Sequence, residues 1–157
     1  MKKYFIVAGE PSGDLHGSKL IKAIKHLNPN SSFMGHGGDS MRNEGMHIIE
    51  HVDSLAIMGF AEVLRHLPRM NKIMRNTVGA IERSKPDRVI LIDYPGFNLR
   101  LAKRLSPLKI PITYFILPQA WAWKQGRVEV LKKFIDQSIS IFPFETDWYK
   151  KHGLRVD

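Results

Sequence analysis

Residues 88–98 read Arg-Val-Ile-Leu-Ile-Asp-Tyr-Pro-Gly-Phe-Asn and carry the clearest sequence signal of the fold. Their apolar run is typical of a strand buried on both faces of a parallel sheet. Asp93 follows at once, and the Pro-Gly pair at 95–96 predicts a sharp turn before a helix that Asn98 caps. A carboxylate at the end of such a strand is poorly solvated, which raises its pKa toward that of a general base. The alternative is that Asp93 only ties down its own loop by hydrogen bonds.

Short apolar runs alternate with helical patterns on both sides of this strand. The alternation predicts right-handed βαβ units, and hence an α/β fold with a parallel sheet and helices on both faces. Ligands of such sheets bind beyond the carboxyl ends of the strands, so the loops after the strands are the candidate sites. Pro68 should kink or split one long helix. Strands are predicted at 4–8, 32–35, 47–50, 88–93, 112–116 and 138–142, and helices at 14–27, 39–44, 58–82, 98–105, 124–134 and 145–151.

The composition predicts one folded domain over residues 1–157. The chain is 43% hydrophobic and 25% charged, which suits a packed core and excludes a disordered tail. No apolar run approaches the roughly 20 residues of a membrane-spanning helix, and no secretory signal is predicted. The chain has no cysteine, which excludes disulfides and thiolate zinc sites and fits a reducing cytosol.

A strong basic excess is the clearest compositional signal. The chain carries 24 Lys and Arg against 15 Asp and Glu, a net charge of +9. Such a chain attracts phosphate on a nucleic acid, an anionic lipid or a small molecule. A nucleic-acid binder is disfavoured because no nucleic-acid motif is present and aromatic residues do not interleave the basic run at 65–104.

Two loops besides that of Asp93 have the composition of a ligand site. Residues 8–14 place two glycines and Glu10 before a helix start, where backbone N–H groups attract anions. The alternative is an ordinary turn in which Ser12 or Asp14 caps the helix. Residues 117–127 hold two tryptophans two positions apart, followed by Lys124 and Arg127, which suits a sugar or an acyl groove beside phosphate. The alternative is that one tryptophan fills the core.

Two further features have weaker interpretations. His36, Asp39, His47, Glu50 and His51 match no metal-ligand spacing, so a metal site is not predicted. The segment 55–78 mixes more apolar residues with arginines and lysines than one core-facing stripe needs, which suits a membrane surface. The alternative is a core helix with a charged outer face.

Six motifs together resemble the N-terminal half of the lipid-A-disaccharide synthases, inverting glycosyltransferases of bacterial outer-membrane biosynthesis. The resemblance covers essentially the whole chain, and the order of the motifs makes it specific. The motifs are Gly9-Glu10-Pro11-Ser12-Gly13-Asp14, the segment from Gly37 through Met41 to Gly45, Met58-Gly59-Phe60 with Glu62-Val63-Leu64, Ile92 to Asn98, Pro118 to Trp123, and Phe142-Pro143-Phe144-Glu145.

The resemblance implies one Rossmann-like half of a two-domain glycosyltransferase. It implies transfer of 2,3-diacylglucosamine from its UDP conjugate to 2,3-diacylglucosamine 1-phosphate, which releases UDP and forms a β-1,6 bond. The partners implied are these two lipids and an anionic membrane surface, at the inner face of the cytoplasmic membrane. The resemblance does not decide whether the protein forms a homodimer, and it implies no cofactor or metal. The C-terminal nucleotide-sugar half lies outside this chain, so we expect little or no transferase activity from it alone.

The resemblance also implies roles for individual residues. Asp93 is expected to be the general base or to orient the acceptor hydroxyl. The expected substrate contacts are Glu10, Ser12, Gly13 and Asp14, which would shape the cleft, and Asn98, Trp123, Lys124 and Arg127, which would contact sugar or phosphate. The expected membrane or acyl-chain contacts are Leu55, Met58, Phe60, Leu64, Arg65, Leu67 and Arg69. The alternative function is a non-catalytic domain that binds a lipid or membrane surface.

Overall fold

The computed structural model describes residues 1–56, 63–119 and 126–157, and of residues 56 and 63–67 it describes the backbone alone. Within these ranges strands and helices alternate as predicted. The strands are β1 (Lys3–Ala8), β2 (Ser32–Gly37), β3 (His47–His51), β4 (Arg88–Ile92), β5 (Ile112–Phe115) and β6 (Gln137–Ile139). The helices are α1 (Pro11–Leu27), α2 (Asp39–Asn43), α3 (Val52–Ala56), α4 (Val63–Ser84), α5 (Pro95–Leu105), α6 (Gly126–Phe134) and α7 (Pro143–Lys151), with a 3₁₀ turn at Ser106–Leu108.

The described strands form one parallel sheet in the order β3-β2-β1-β4-β5-β6. This is the doubly wound order of a Rossmann-like fold. The predicted fold class, a parallel sheet with helices on both faces, is therefore confirmed.

The core lies on both faces of the two central strands. Because side chains alternate along a strand, Phe5 and Val7 of β1 pack with α4 and α5, whereas Ile6 and Ala8 pack with α1 and α2. Residues 89–92 of β4 alternate between the same two faces of the sheet, and all four are buried. The continuous apolar run from which this strand was predicted is thus explained by helices on both of its faces.

Helix starts and one proline differ from the prediction. Helices α1, α5 and α7 begin at Pro11, Pro95 and Pro143, two to three residues before the predicted starts. Proline suits the first turn because its fixed φ is helical and its missing N–H needs no partner there. Of the two outcomes predicted for Pro68, the split is wrong, since α4 continues through this residue, and the kink stays a prediction.

Candidate active site

A cleft opens at the carboxyl edge of the sheet between β1 and β4. From β1 the chain winds toward β2 and β3, and from β4 it winds toward β5 and β6, so the loops after these strands diverge and leave a crevice. The cleft has a volume of about 460 Å³. It brings together four of the predicted residues: Ser12, Gly13, Asp93 and Arg127.

The chain after β1 packs closely against its neighbours because two of its residues, Gly9 and Gly13, have no side chain. A Cβ on Gly9 would overlap the ring of Tyr94, and a Cβ on Gly13 would lie 3.1 Å from that of Ala8. Neither Ser12 nor Asp14 caps α1; Glu10 occupies the capping position, and its side chain makes no capping bond. The loop is therefore shaped by close approach to the Asp93 loop.

The loop after β4 holds Asp93 and Tyr94 in left-handed conformations, with φ of 46° and 48°. This conformation costs a non-glycine residue roughly 1 kcal/mol or more, and such strain concentrates at functional sites. The backbone of Asp93 secures it: its carbonyl accepts from the Tyr114 hydroxyl at 2.6 Å and the Asn98 amide at 2.8 Å, and its N–H donates to Phe115 at 3.1 Å. The backbone of Asp93 thus holds the loop, and the carboxylate adds one bond to it by accepting the N–H of Tyr94.

The half-buried carboxylate of Asp93 has a raised pKa. Burial is the largest cause, and the negative charge of Glu10 adds to it, with a smaller contribution from Glu145. The N–H of Tyr94 and the positive charge of Arg127 oppose the rise in this pKa. A carboxylate with a raised pKa is a better proton acceptor than an ordinary surface aspartate.

Arg127 supplies a positive charge to the cleft from the first turn of α6. Ile116, at the end of β5, lines the same cleft in a left-handed conformation with φ of 64°, which is rare for a β-branched residue. Trp123 and Lys124, both predicted substrate contacts, lie outside the described residues.

The prediction for Asn98 needs correction. Tyr94, not Asn98, holds the capping position of α5, because the helix begins at Pro95. The Asn98 side chain is completely buried, and its amide points to the carbonyls of Val7, Ile92 and Asp93. It therefore joins the ends of β1 and β4 beneath the cleft and does not present itself to a sugar.

The prediction for Asp14 is corrected in a similar way. Its buried carboxylate accepts N–H bonds from Gly38 at 2.7 Å, Ser40 at 3.0 Å and Met41 at 3.0 Å, so it caps the neighbouring helix α2. Burial alone would raise the pKa of Asp14, but these N–H donors outweigh burial and lower it. Asp14 shapes the cleft only by holding the β2–α2 loop.

The predicted membrane segment is described in part. Leu55 is 2% exposed and packs in the core, so its assignment as a surface contact is wrong. Ile73 and Met74 are also core residues, whereas Arg69 is exposed, as a core helix with a charged outer face requires. Met58 and Phe60, and the side chains of Leu64, Arg65 and Leu67, lie outside the described residues.

The sequence interpretation missed several residues of the cleft. His16 faces it one helical turn after Ser12, and its ring packs edge-on against Phe115 at 6.4 Å. This four-residue spacing was a usable signal. Ile141 and Phe142 also line the cleft. They were assigned to the last strand, but β6 ends at Ile139 and residues 140–142 form a turn.

His36, which lies in strand β2, is a core residue. The Thr77 hydroxyl donates to the carbonyl of Ile73 at 2.7 Å, so Nε2 of His36 donates to that hydroxyl at 2.9 Å. Its Nδ1 is buried without a partner, and burial lowers the pKa of His36 to about 4. In the described ranges no group of three His, Cys, Asp or Glu residues is arranged to hold a metal ion.

No helix in the described ranges combines the length and the apolar character that a membrane span requires.

The sheet order, with the cleft at its reversal point, is that of a Rossmann-like α/β fold. Solved structures share this fold at low sequence identity. A UDP-GlcNAc 2-epimerase from Neisseria meningitidis, bound to UDP-GlcNAc, is 12% identical with a TM-score of 0.66, over 99% of this chain and 45% of that one. The Streptomyces sp. SF2575 glycosyltransferase SsfS6 is 16% identical with a TM-score of 0.51, over 93% and 51%.

Sequence comparison is more specific. Residues 4–157 match the family model described as lipid-A-disaccharide synthetase. The chain belongs to this family of glycosyltransferases of lipid A biosynthesis. Lipid-A-disaccharide synthases of Myxococcus xanthus and Alkalilimnicola ehrlichii are 39% and 41% identical to it, each over 97% of this chain and 40% of the relative. The chain thus spans about two fifths of the length of these relatives.

Proposed function

We propose that this chain is the acceptor-side half of a lipid-A-disaccharide synthase. In the reaction, 2,3-diacylglucosamine passes from its UDP conjugate to 2,3-diacylglucosamine 1-phosphate, and the β-1,6-linked disaccharide 1-phosphate and UDP are formed. The proposal rests on family membership and on one observation above all: the Asp93 carboxylate, with its raised pKa, lies in the cleft at the reversal point of the sheet.

In this reaction Asp93 is the base that accepts the proton of the acceptor's 6-hydroxyl group. The 6-hydroxyl oxygen of the acceptor bonds to the anomeric carbon of the donor from the face opposite UDP. The bond from that carbon to the UDP oxygen breaks, and its electron pair leaves with the diphosphate. Asp93 takes the hydroxyl proton as the new bond forms. A single displacement inverts the anomeric carbon and needs one base and no covalent sugar–enzyme intermediate.

The other residues of the cleft act around this base. Arg127 is placed to pair with a substrate phosphate, and Ser12 offers a hydroxyl at the start of α1. Glu10 keeps the proton affinity of Asp93 high, since its charge raises the pKa of the Asp93 carboxylate. Asn98 positions the loop after β4 from beneath the cleft, because its side-chain amide donates to the carbonyl of Asp93.

The location proposed for the protein is the inner face of the bacterial cytoplasmic membrane, to which it attaches peripherally. Its two substrates are lipids, and its net charge of +9 favours an anionic surface. Arg69, Lys72 and Arg75 are exposed on the outer face of α4 and supply part of that charge.

The test is a transferase assay with the two lipid substrates on this chain alone, and again on this chain joined to the C-terminal remainder of the Alkalilimnicola ehrlichii relative. We expect disaccharide from the joined protein and little or none from the chain alone. A folded joined protein that binds both substrates and yields no disaccharide would reject the proposal.

A further inference from the structure

An exposed apolar rim borders the cleft on the side away from the β1–α1 loop. We define it as Ile141, Phe142 and Phe144, which are 40%, 42% and 58% exposed. Ile141 and Phe142 line the same cleft as Asp93, and the rings of Phe142 and Phe144 lie 5.8 Å apart. Exposed apolar residues gathered beside a polar cleft mark a binding surface more strongly than isolated ones do.

The turn that presents the rim is held in place by polar bonds. The Ser140 hydroxyl donates to the buried carboxylate of Glu145 at 2.6 Å and accepts the N–H of Phe142 at 3.1 Å. The N–H of Glu145 donates back to the carbonyl of Phe142 at 3.1 Å. Since the turn is braced from both sides, the rim is pre-organised for a ligand.

The cleft as a whole has a charged end and an apolar end. Asp93 and Arg127 form the charged end, while Ile116 and Leu117 continue the apolar surface from the rim into the cleft. A ligand that matches both ends has an anionic or polar head and a hydrocarbon tail. A water-soluble sugar phosphate would leave the apolar end uncovered.

We propose that the apolar rim binds an acyl chain of the acylated sugar phosphate whose sugar occupies the charged end of the cleft. The inference rests on the proposed function for the identity of the sugar, and it adds a subsite on the turn after β6. It places acyl recognition in the β6–α7 turn, a part of the chain separate from the 55–78 segment. The rim thereby makes the cleft select lipid over deacylated substrate.

The test is equilibrium dialysis of the chain against two probes: 2,3-diacylglucosamine 1-phosphate below its critical micelle concentration, and glucosamine 1-phosphate. We expect the acylated probe to bind at least tenfold more tightly. The double change Ile141→Ser with Phe142→Ser should remove most of this preference while leaving the affinity for glucosamine 1-phosphate within about twofold.

Leu27→Ser is the matched control. Leu27 is 85% exposed at the far end of α1, about 22 Å along the helix from Ser12, and its substitution should leave the preference intact. Ile141→Ser alone provides a milder variant should the double one unfold, and it should reduce the preference by about threefold or more. Circular dichroism checks that each variant is folded.

Two results would overturn the inference. One is equal affinity of the unaltered chain for the two probes, including no measurable binding of either. The other is an acyl preference that survives in the folded rim variants, which would mean that the acyl chain binds to another part of the protein. Failure of the proposed catalysis would look different, because transfer by the joined enzyme would then be insensitive to Asp93→Asn while the acyl preference persisted.

Discussion

Two aspartates, Asp14 in the first turn of α1 and Asp93 in the loop after β4, show how the surroundings of a side chain determine its role. Asp14 is buried, but three backbone N–H groups bond to its carboxylate, and its pKa is lowered. At Asp93, burial and the charge of Glu10 both raise the pKa, and only one backbone N–H, that of Tyr94, bonds to the carboxylate. The first carboxylate is a fixed anion that organises backbone, whereas the second is available to take a proton.

The electrostatics of Asp93 predict opposite shifts for two substitutions in the joined enzyme. Glu10→Gln removes a charge that raises the pKa of Asp93, so the acid limb of the kcat/KM profile should move to lower pH. Arg127→Gln removes a charge that lowers the same pKa, so the limb should move to higher pH.

The control for both variants is Glu129→Gln, which removes an exposed carboxylate of α6. It should leave the acid limb in place. Shifts of Glu10→Gln and Arg127→Gln in the same direction would show that the limb does not report Asp93.

His36 predicts that stability falls in mild acid. Burial lowers the pKa of His36 from its ordinary value of 6.5 to about 4, so its stabilising contribution is present above pH 6.5 and is lost as pH falls through 4. From pH 7 to pH 5 the free energy of unfolding should fall by about 2 kcal/mol on this account.

Urea unfolding at both pH values measures this loss. His36→Gln keeps an N–H donor for Thr77 but does not titrate, so the loss should largely disappear in this variant. His26→Gln, at an exposed position, should retain it. If the free energy of unfolding fell equally in all three proteins, a group other than His36 would cause the acid sensitivity.

At the scale of elements, the sequence was enough to predict the order and type of the main strands and helices, but not the first residues and caps of the helices. The run at 89–92 identified β4 because a strand covered on both faces must be apolar throughout. Asn98 and Asp14 were expected at the starts of their own helices, but proline starts α5 and α1, and Asp14 caps α2 instead. The short helix α3 was not predicted; its five residues lack a glycine end signal like Gly45, which follows the equally short α2.

The capping role of Asp14 predicts a loss of stability on its removal. Asp14→Ala leaves the N–H groups of Gly38, Ser40 and Met41 without their acceptor. We expect the free energy of unfolding to fall by about 1–3 kcal/mol. Asp39→Ala, in the first turn of the same helix but 72% exposed at its side chain, should change it by roughly 0.5 kcal/mol or less. Equal losses would contradict the cap.

At the scale of the whole molecule, the position of the cleft followed from the sequence but its lining did not. Alternating strands and helices place Asp93 and Arg127 at one edge of a parallel sheet. Which side chains face the crevice depends on contacts between loops distant in the chain. Asn98 turns beneath the cleft to bond with the carbonyl of Val7, 91 residues away, and no local pattern encodes that bond.

The charge of the whole molecule predicts binding to anionic vesicles. The chain should bind phosphatidylglycerol-rich vesicles more tightly than phosphatidylcholine vesicles or duplex DNA at matched salt. Replacing Arg69, Lys72 and Arg75 together by Ser should weaken vesicle binding by roughly tenfold or more. The control removes the same charge from Lys103, Arg104 and Lys109 and should have a smaller effect in co-sedimentation. Tighter binding to DNA, with a steep salt dependence, would contradict the lipid assignment.

The proposed reaction depends on Asp93 as the acceptor of the hydroxyl proton, and Asp93→Asn removes this acceptor. Disaccharide formation from the two lipid substrates is measured with the joined enzyme and with its Asp93→Asn form, after both are shown to have the same thermal stability. We expect kcat to fall by roughly a hundredfold or more, with little change in substrate affinity. A variant that turns over within a few-fold of its parent would contradict this role of Asp93.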